Sequence, residues 1–355
     1  MPADSLHDYL SQQGAQFGDV SGEQVAQNYG DTNAEYRALT ESVALVDLSF
    51  RGCLAVLGDD RVKFINGQVT NEVAGLKPGQ GCYAALINAK AKMQADLHVY
   101  RLNDELILDF EPGLVDAVTQ RLESHIIADQ AELVDASPHF GLLSLQGPKT
   151  ADTLKVLGLA LPGEPFAHSK TTFDDLGEVY VMNNGRYGTT GCDLYISTGH
   201  LGEAAERLAK AIEGQGGRLV GWQATEIARV EAGIPRFGID MDGNTLPPEA
   251  GLDTRAISYT KGCYIGQEII ARIRTYGRVN RTLAGYRLDD DLVIGTQLTD
   301  DSGKTVGTLT SVIESPRFGL IALGLAKRGS ESPGQVLSAR EPAQGRATVA
   351  ETPFR

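Results

Sequence analysis

No run in this chain approaches the roughly 18 consecutive apolar residues that a membrane span needs. The segment Met1 to Val20 lacks the basic flank and apolar stretch of a signal peptide, and also the arginines of a transit peptide. A cytoplasmic protein with no membrane association is expected. Cysteine is scarce. Cys53, Cys82, Cys192 and Cys263 include no Cys-x-x-Cys pair, and their wide spacing argues against a zinc or iron–sulfur site, so no metal is expected. Cys53, Cys82 and Cys192 read as single reduced thiols. The chain has neither a Gly-x-Ser-x-Gly elbow nor a His-Glu-x-x-His pair, and its six histidines are scattered. They read as structural or solvent-exposed. Gly303-Lys304-Thr305 is not a phosphate loop, because Leu298 stands where the first glycine belongs and a strand follows in place of a helix. It reads as a hairpin turn. Positive charge is also in deficit. A net charge of −14 disfavours sequence-independent nucleic-acid binding, which depends on neutralising phosphates.

What is present is an ordinary globular composition, 42% hydrophobic and 22% charged. With 355 residues the chain exceeds one hydrophobic core, which predicts two or three tightly joined lobes. Apolar strands are expected at 53–57, 82–87, 93–102 and 106–110, with helices at 34–40, 61–66 and 115–128. Asp59 or Asp60 is placed to cap the 61–66 helix. Strands in hairpins between helices predict α+β rather than a doubly wound parallel sheet. A second lobe begins near Phe140: a strand at 142–146, a helix at 149–157, strands at 179–182 and 193–197, and a helix at 204–213. This order echoes residues 53–128 and suggests an internal duplication. A further helix runs from Gly221 to Gly233, stopped by Pro235. From Thr282 onward, short strands and turns predict a small β-barrel or sandwich. The expected domains are 1–139 with part of 220–280 packed on it, 140–281, and 282–355.

The segment 261–281 departs from the acidic background. It carries Lys261, Arg272, Arg274, Arg278 and Arg281 against one acid, Glu268. Two readings stand: a site for an anionic ligand or partner, or a helix with a basic solvated face. Apolar residues at helical spacing from Gly266 onward place a helix start just after Cys263. A thiol beside Lys261 and near a helix N-terminus has its thiolate favoured, which makes Cys263 the candidate reactive residue. The alternative is a small packing cysteine.

Lys261-Gly262-Cys263-Tyr264-Ile265-Gly266-Gln267-Glu268 resembles the Lys-Gly-Cys-Tyr-x-Gly-Gln-Glu signature of the YgfZ family, with all seven fixed positions matched. Those are folate-binding proteins linked to iron–sulfur enzymes and tRNA modification. The resemblance extends over nearly the whole chain. Leu142 to Thr150 is similar to the Leu-x-x-Leu-Gln-Gly-Pro segment of the glycine-cleavage T-protein superfamily. Arg229-Val230-Glu231-Ala232-Gly233-Ile234-Pro235 is similar to its Arg-Leu-Glu-Ala-Gly segment, and Val306 to Ser311 to its C-terminal barrel. The fold this implies is three-lobed, with two related α+β lobes and a C-terminal β-barrel around a central hole that holds tetrahydrofolate.

The resemblance also carries residue roles and departures. It implies chemistry at Cys263, Lys261 and Asp96. It implies folate contacts or support from Arg51, Asn88, Asp96, Thr225, Glu231, Tyr264, Gln267 and Glu268. Where the aminomethyltransferases carry two adjacent aspartates, this chain has Ala95-Asp96. Where they carry a folate-contacting arginine, it has Thr225, and no glutamate follows Thr-Gly in the segment 186–193. The expected function is therefore tetrahydrofolate binding in support of iron–sulfur enzyme assembly or repair and, indirectly, tRNA modification. The expected partners are folate and iron–sulfur enzymes or cluster-assembly proteins, and a monomer is expected. The alternative is a tetrahydrofolate-dependent aminomethyltransferase of the glycine cleavage system.

Overall fold

In a computed structural model of the chain, residues 5–277 and 279–355 are described. Arg278 of the basic segment lies outside them. Among the described residues no helix is long and apolar enough to cross a membrane. The chain divides into two compact units, one of Met1–Ala84 with Leu97–Thr225, the other of Ala85–Asp96 with Glu226–Arg355.

The α+β class is as expected. A five-stranded sheet has the order Gln80–Ile87, Met93–Arg101, Leu106–Phe110, Gly52–Leu57, Glu132–Asp135. A six-stranded sheet has the order His168–Thr172, Glu178–Asn183, Gly191–Ser197, Phe140–Gln146, Ala44–Asp47, Arg218–Leu219. The two share one plan. In each, a strand, a helix, three strands, a helix and a last strand follow in sequence, and the strands take the same spatial order. The six-stranded sheet differs in admitting Ala44–Asp47 beside the last strand, which pairs with it in parallel. The sequence pattern predicts one strand fewer in the second copy. His168–Thr172, an edge strand of sequence His-Ser-Lys-Thr-Thr, completes the match.

The core of the six-stranded sheet is built by the helix Leu201–Glu213. Leu201, Ala204, Ala205, Leu208, Ala209 and Ile212 recur at helical spacing and pack on Leu143, Leu145, Leu194 and Ile196. Each fully buried leucine or isoleucine there contributes about 1.5–3 kcal/mol. The 61–68 helix begins after Asp60, but its carboxylate makes no cap bond and accepts from the Gln130 amide instead. The helix expected over 115–128 ends at Glu123, and Ile127, whose apolar character suggested continuation, is 92% exposed.

In the second unit six strands from Arg281 to Ala350 close a barrel, with Arg281–Leu288 pairing both Gly319–Lys327 and Gly345–Ala350. Tyr286, Leu298, Leu309, Ala322 and Leu337 fill its interior. The Gly303 turn lies between two of these strands, and Asp300 Oδ1 accepts from the Ser302 and Lys304 amides. The barrel strands leave no room at Gly324. A Cβ there would lie 2.4 Å from the Thr308 carbonyl oxygen and 3.1 Å from Leu309 Cα. Gly324→Ala is expected to cost about 1–3 kcal/mol. Gly199→Ala, where a Cβ meets nothing within 4 Å, should stay within about 0.5 kcal/mol of wild type. Urea midpoints of the two variants check this, and equal midpoints would contradict it.

Candidate functional site

The strand Met93–Arg101 alternates by the pleat of a β-strand. Met93, Ala95, Leu97 and Val99 are buried in the core, while Gln94, Asp96 and His98 on the other face are only partly buried. In the first unit that second face meets a buried polar network centred on Asp109, a single carboxylate inside the otherwise apolar strand Leu106–Phe110. Arg51 donates to Asp109 through Nε at 2.7 Å and to Glu111 through Nη1 at 2.6 Å. Arg186 Nη2 reaches both Asp109 Oδ2 and Asp193 Oδ2 at 2.7 Å. His98 Nδ1 lies 2.9 Å from Asp109 Oδ2. Ser144 and Asn184 donate to Asp193, and Asn184 also donates to the Tyr100 hydroxyl oxygen at 3.0 Å.

Electrostatics fix the protonation states. Burial opposes the charge on Asp109, but Arg186 and Arg51, helped by His98, outweigh it and hold the carboxyl well below the usual range. Burial is the strongest influence on His98 and lowers its pKa. The Asp109 hydrogen bond pulls the other way, and the Arg186 and Arg51 charges add to the lowering. His98 is thus neutral at pH 7. Since Asp109 only accepts, the proton sits on Nδ1.

The second unit holds the signature segment. Gly266 has φ +80°, and a Cβ on it would lie 2.6 Å from the Asn88 carbonyl oxygen and 2.9 Å from Ile87 Cδ1. Only glycine permits that backbone and that approach. The loop is thereby seated on the tip of the 80–101 hairpin. Asn88 shapes the tip, its Oδ1 accepting from the Lys90 and Lys92 amides. Lys92 Nζ donates to the Asn244 carbonyl at 2.7 Å, and the Met93 amide donates to the Thr245 carbonyl. Lys261 is buried, with Nζ 5.0 Å from the centre of the Tyr264 ring, whereas Cys263 is exposed. Burial pushes the Tyr264 hydroxyl up to about 12. The helix Gln267–Tyr276 starts with Gly266 as its cap, so three residues separate Cys263 from the first helical residue. A helix dipole acts mainly within its first turn.

The other expected site residues lie as follows. Arg51 directs its guanidinium to Asp109 and Glu111. Thr225 is buried and donates to the Trp222 carbonyl. Glu231 is buried and accepts from Ser315 Oγ beside the barrel. Gln267 is partly buried, and Glu268 is exposed on the first turn of its helix. In the basic segment, Arg281 Nε lies 3.2 Å from Glu249, Arg274 stacks 4.0 Å over the Tyr259 ring, and Arg272 is exposed. Arg229, in the Arg-Val-Glu-Ala-Gly segment, is fully engaged with Glu226, Asp240, Ser311 and the Ile234 carbonyl. The sequence reading did not single out Asp109, Arg186 or His98. The available signal was a carboxylate in the middle of an apolar strand.

Residues 6–261 match the family of the GCVT N-terminal domain. The chain belongs to that family. It is 30% identical over 352 residues to a chloroplastic protein of Arabidopsis thaliana provisionally named a transferase, covering 98% of this chain and 79% of that one. It is 27% identical to an aminomethyltransferase of Shouchella clausii, over 98% of this chain and 96% of the relative. The crystal structure of the glycine cleavage system aminomethyltransferase T from Bartonella henselae superposes with a TM-score of 0.88 at 24% identity, covering 99% of this chain and 97% of that one. The fold is therefore the T-protein fold, with its C-terminal six-stranded barrel.

A measurable acid sensitivity is expected from Asp109. Asp109→Asn leaves two buried guanidinium groups short of a partner and should cost on the order of 3–5 kcal/mol at neutral pH. Because the folded pKa of Asp109 lies below its unfolded value, its stabilisation is complete above the ordinary carboxylate range. It is lost as pH falls toward the depressed folded value. Urea midpoints of wild type and Asp109→Asn should therefore differ most at pH 7 and converge in acid. A gap independent of pH would contradict this account.

Proposed function

We propose that the protein binds tetrahydrofolate and supports the assembly or repair of iron–sulfur enzymes, and through them tRNA modification, in the manner of the YgfZ proteins. The observation that carries this reading is the Lys261–Glu268 loop. It matches the YgfZ signature at every fixed position, it is pinned to the hairpin by a glycine that tolerates no side chain, and it presents Cys263 to solvent. Cys263 is its functional thiol, with Lys261 beside it in the chain. Tyr264, Gln267 and Glu268 hold the loop. Arg51, Asn88, Asp96, Thr225 and Glu231 are the folate-site candidates, and Asp96 is also a candidate for the chemistry. The protein acts in the cytoplasm as a monomer, with iron–sulfur enzymes or their assembly proteins as partners.

A second reading, tetrahydrofolate-dependent aminomethyl transfer, is favoured by a relative named aminomethyltransferase that aligns over 96% of its own length. Against it stand Ala95, in place of one aspartate of the adjacent pair, and Thr225, in place of an arginine. Methylenetetrahydrofolate formation and ammonia release from an aminomethyl-lipoyl carrier protein separate the two, and robust turnover would establish the second.

Calorimetric titration with tetrahydrofolate is expected to show binding, and no heat up to millimolar ligand would overturn the folate reading. Cys263→Ala removes an exposed side chain, so stability should change by less than about 0.5 kcal/mol. Folate affinity should be kept, while rescue of iron–sulfur enzyme activity in cells lacking the protein should fall. Full rescue by the variant would remove the thiol from the function.

A further inference from the structure

The polar network of the first unit includes one imidazole, His98. His98 gives its Nδ1–H to Asp109, and among the described residues no hydrogen bond is made to its Nε2. That nitrogen is not among the sealed, unpartnered atoms of the described residues, and the side chain keeps 14% exposure. The ring is held in its orientation. Tyr83 and Phe166 pack against it at centroid distances of 5.2 and 5.5 Å, and Tyr100 lies nearly parallel at 6.3 Å. Turning the ring over would put Cδ2–H where Nδ1–H faces Asp109, and the other tautomer would face it with a lone pair, to which Asp109, already ionised between two guanidiniums, has no proton to offer. The tautomer is therefore set by the neighbours, and what the chain leaves open is one hydrogen-bond acceptor of fixed direction.

We infer that His98 Nε2 is a ligand-binding acceptor, which takes a hydrogen bond from a ring or exocyclic N–H of the bound folate. This rests on the folate reading and adds to it a contact from a residue outside the family signature. The charged groups facing the imidazole are Asp109, Arg186 and Arg51, and the titratable rings are Tyr83 and Tyr100. Among these only His98 changes charge in the mildly acidic range. Protonation turns Nε2 from acceptor into donor, so the contact exists at neutral pH and is lost only as pH falls through the His98 value, which burial holds below the ordinary histidine value of about 6.5.

Two substitutions separate the two nitrogens. In His98→Asn the amide Nδ2 replaces the Nδ1–H donor to Asp109, and the distal acceptor disappears. In His98→Gln the carboxamide oxygen reaches the place of Nε2. By calorimetry, His98→Asn should weaken tetrahydrofolate binding about tenfold with thermal stability close to wild type, and His98→Gln should stay within about threefold. Wild-type affinity should fall in acid, below the ordinary histidine range, and that of His98→Gln should not. In the wild type, imidazole 15N spectra should show Nδ1 protonated and an Nε2 resonance that moves when tetrahydrofolate is added. This measurement does not depend on any variant folding. Wild-type affinity in His98→Asn, or an Nε2-protonated ring, would overturn the inference while leaving folate binding in place. No binding by the wild type would instead remove the folate reading, and this inference with it.

Discussion

The first unit is organised around a carboxylate buried inside a β-strand. Asp109 is the kind of residue that a strand such as Leu-Ile-Leu-Asp-Phe accommodates only with full compensation, because an isolated buried charge costs several kcal/mol even after relaxation. Arg51 and Arg186 supply that compensation. Arg186 bridges Asp109, on the third strand of the first repeat's run of three, and Asp193, on the third strand of the second repeat's run. The two copies of the plan are joined where each carries a carboxylate on the corresponding strand. Ser144 and Asn184 donate to Asp193 as well, Asn184 also donates to Tyr100, and Gln146 donates to Ser144. A buried network of this kind specifies one arrangement, and one missing member leaves a buried charge exposed to its full penalty.

Legibility in the sequence followed burial. Strands whose residues are buried on both faces, such as 82–87 and 106–110, announce themselves as apolar runs, and the 201–213 helix announces itself by its spacing. His168–Thr172 does not, because an edge strand with mostly exposed side chains carries no apolar pattern. The 115–123 helix was overextended for the converse reason: Ile126 and Ile127 are apolar, yet Ile127 faces solvent, and apolar identity alone does not report burial. The network was not legible at all. Arg51 and Arg186 meet Asp109 across 58 and 77 residues, and no local rule connects positions that far apart.

The signature segment was legible as a pattern but not as a cause. Its glycine proves to be a steric requirement set by the hairpin tip, and its lysine is a buried cation against a tyrosine ring rather than a surface charge. The basic segment that follows divides between the two readings left open by composition. Arg281 and Arg274 are engaged with Glu249 and Tyr259, as structural cations would be, and Arg272 faces solvent. The positive count in this stretch therefore overstates the charge available to an outside ligand, while the exposed thiol beside it is fully presented.

Arg229 shows why family resemblance and function part company here. It belongs to a segment shared with the T-protein superfamily, yet its guanidinium is consumed in holding the 222–231 helix to Asp240 and to Ser311 of the barrel. Val230 from the same helix packs on Ile321 and Leu323. Residues of this kind are needed by every chain that folds this way, whatever it does, so they identify the fold and are silent on the chemistry. The candidates for chemistry are positions with a donor, acceptor or nucleophile that the fold does not itself require. Cys263 has its thiol in solvent, and His98 has one acceptor nitrogen to which the described residues offer no donor. Activity among chains of this fold is accordingly to be compared at such positions, where a substitution leaves the architecture standing and changes only what it presents.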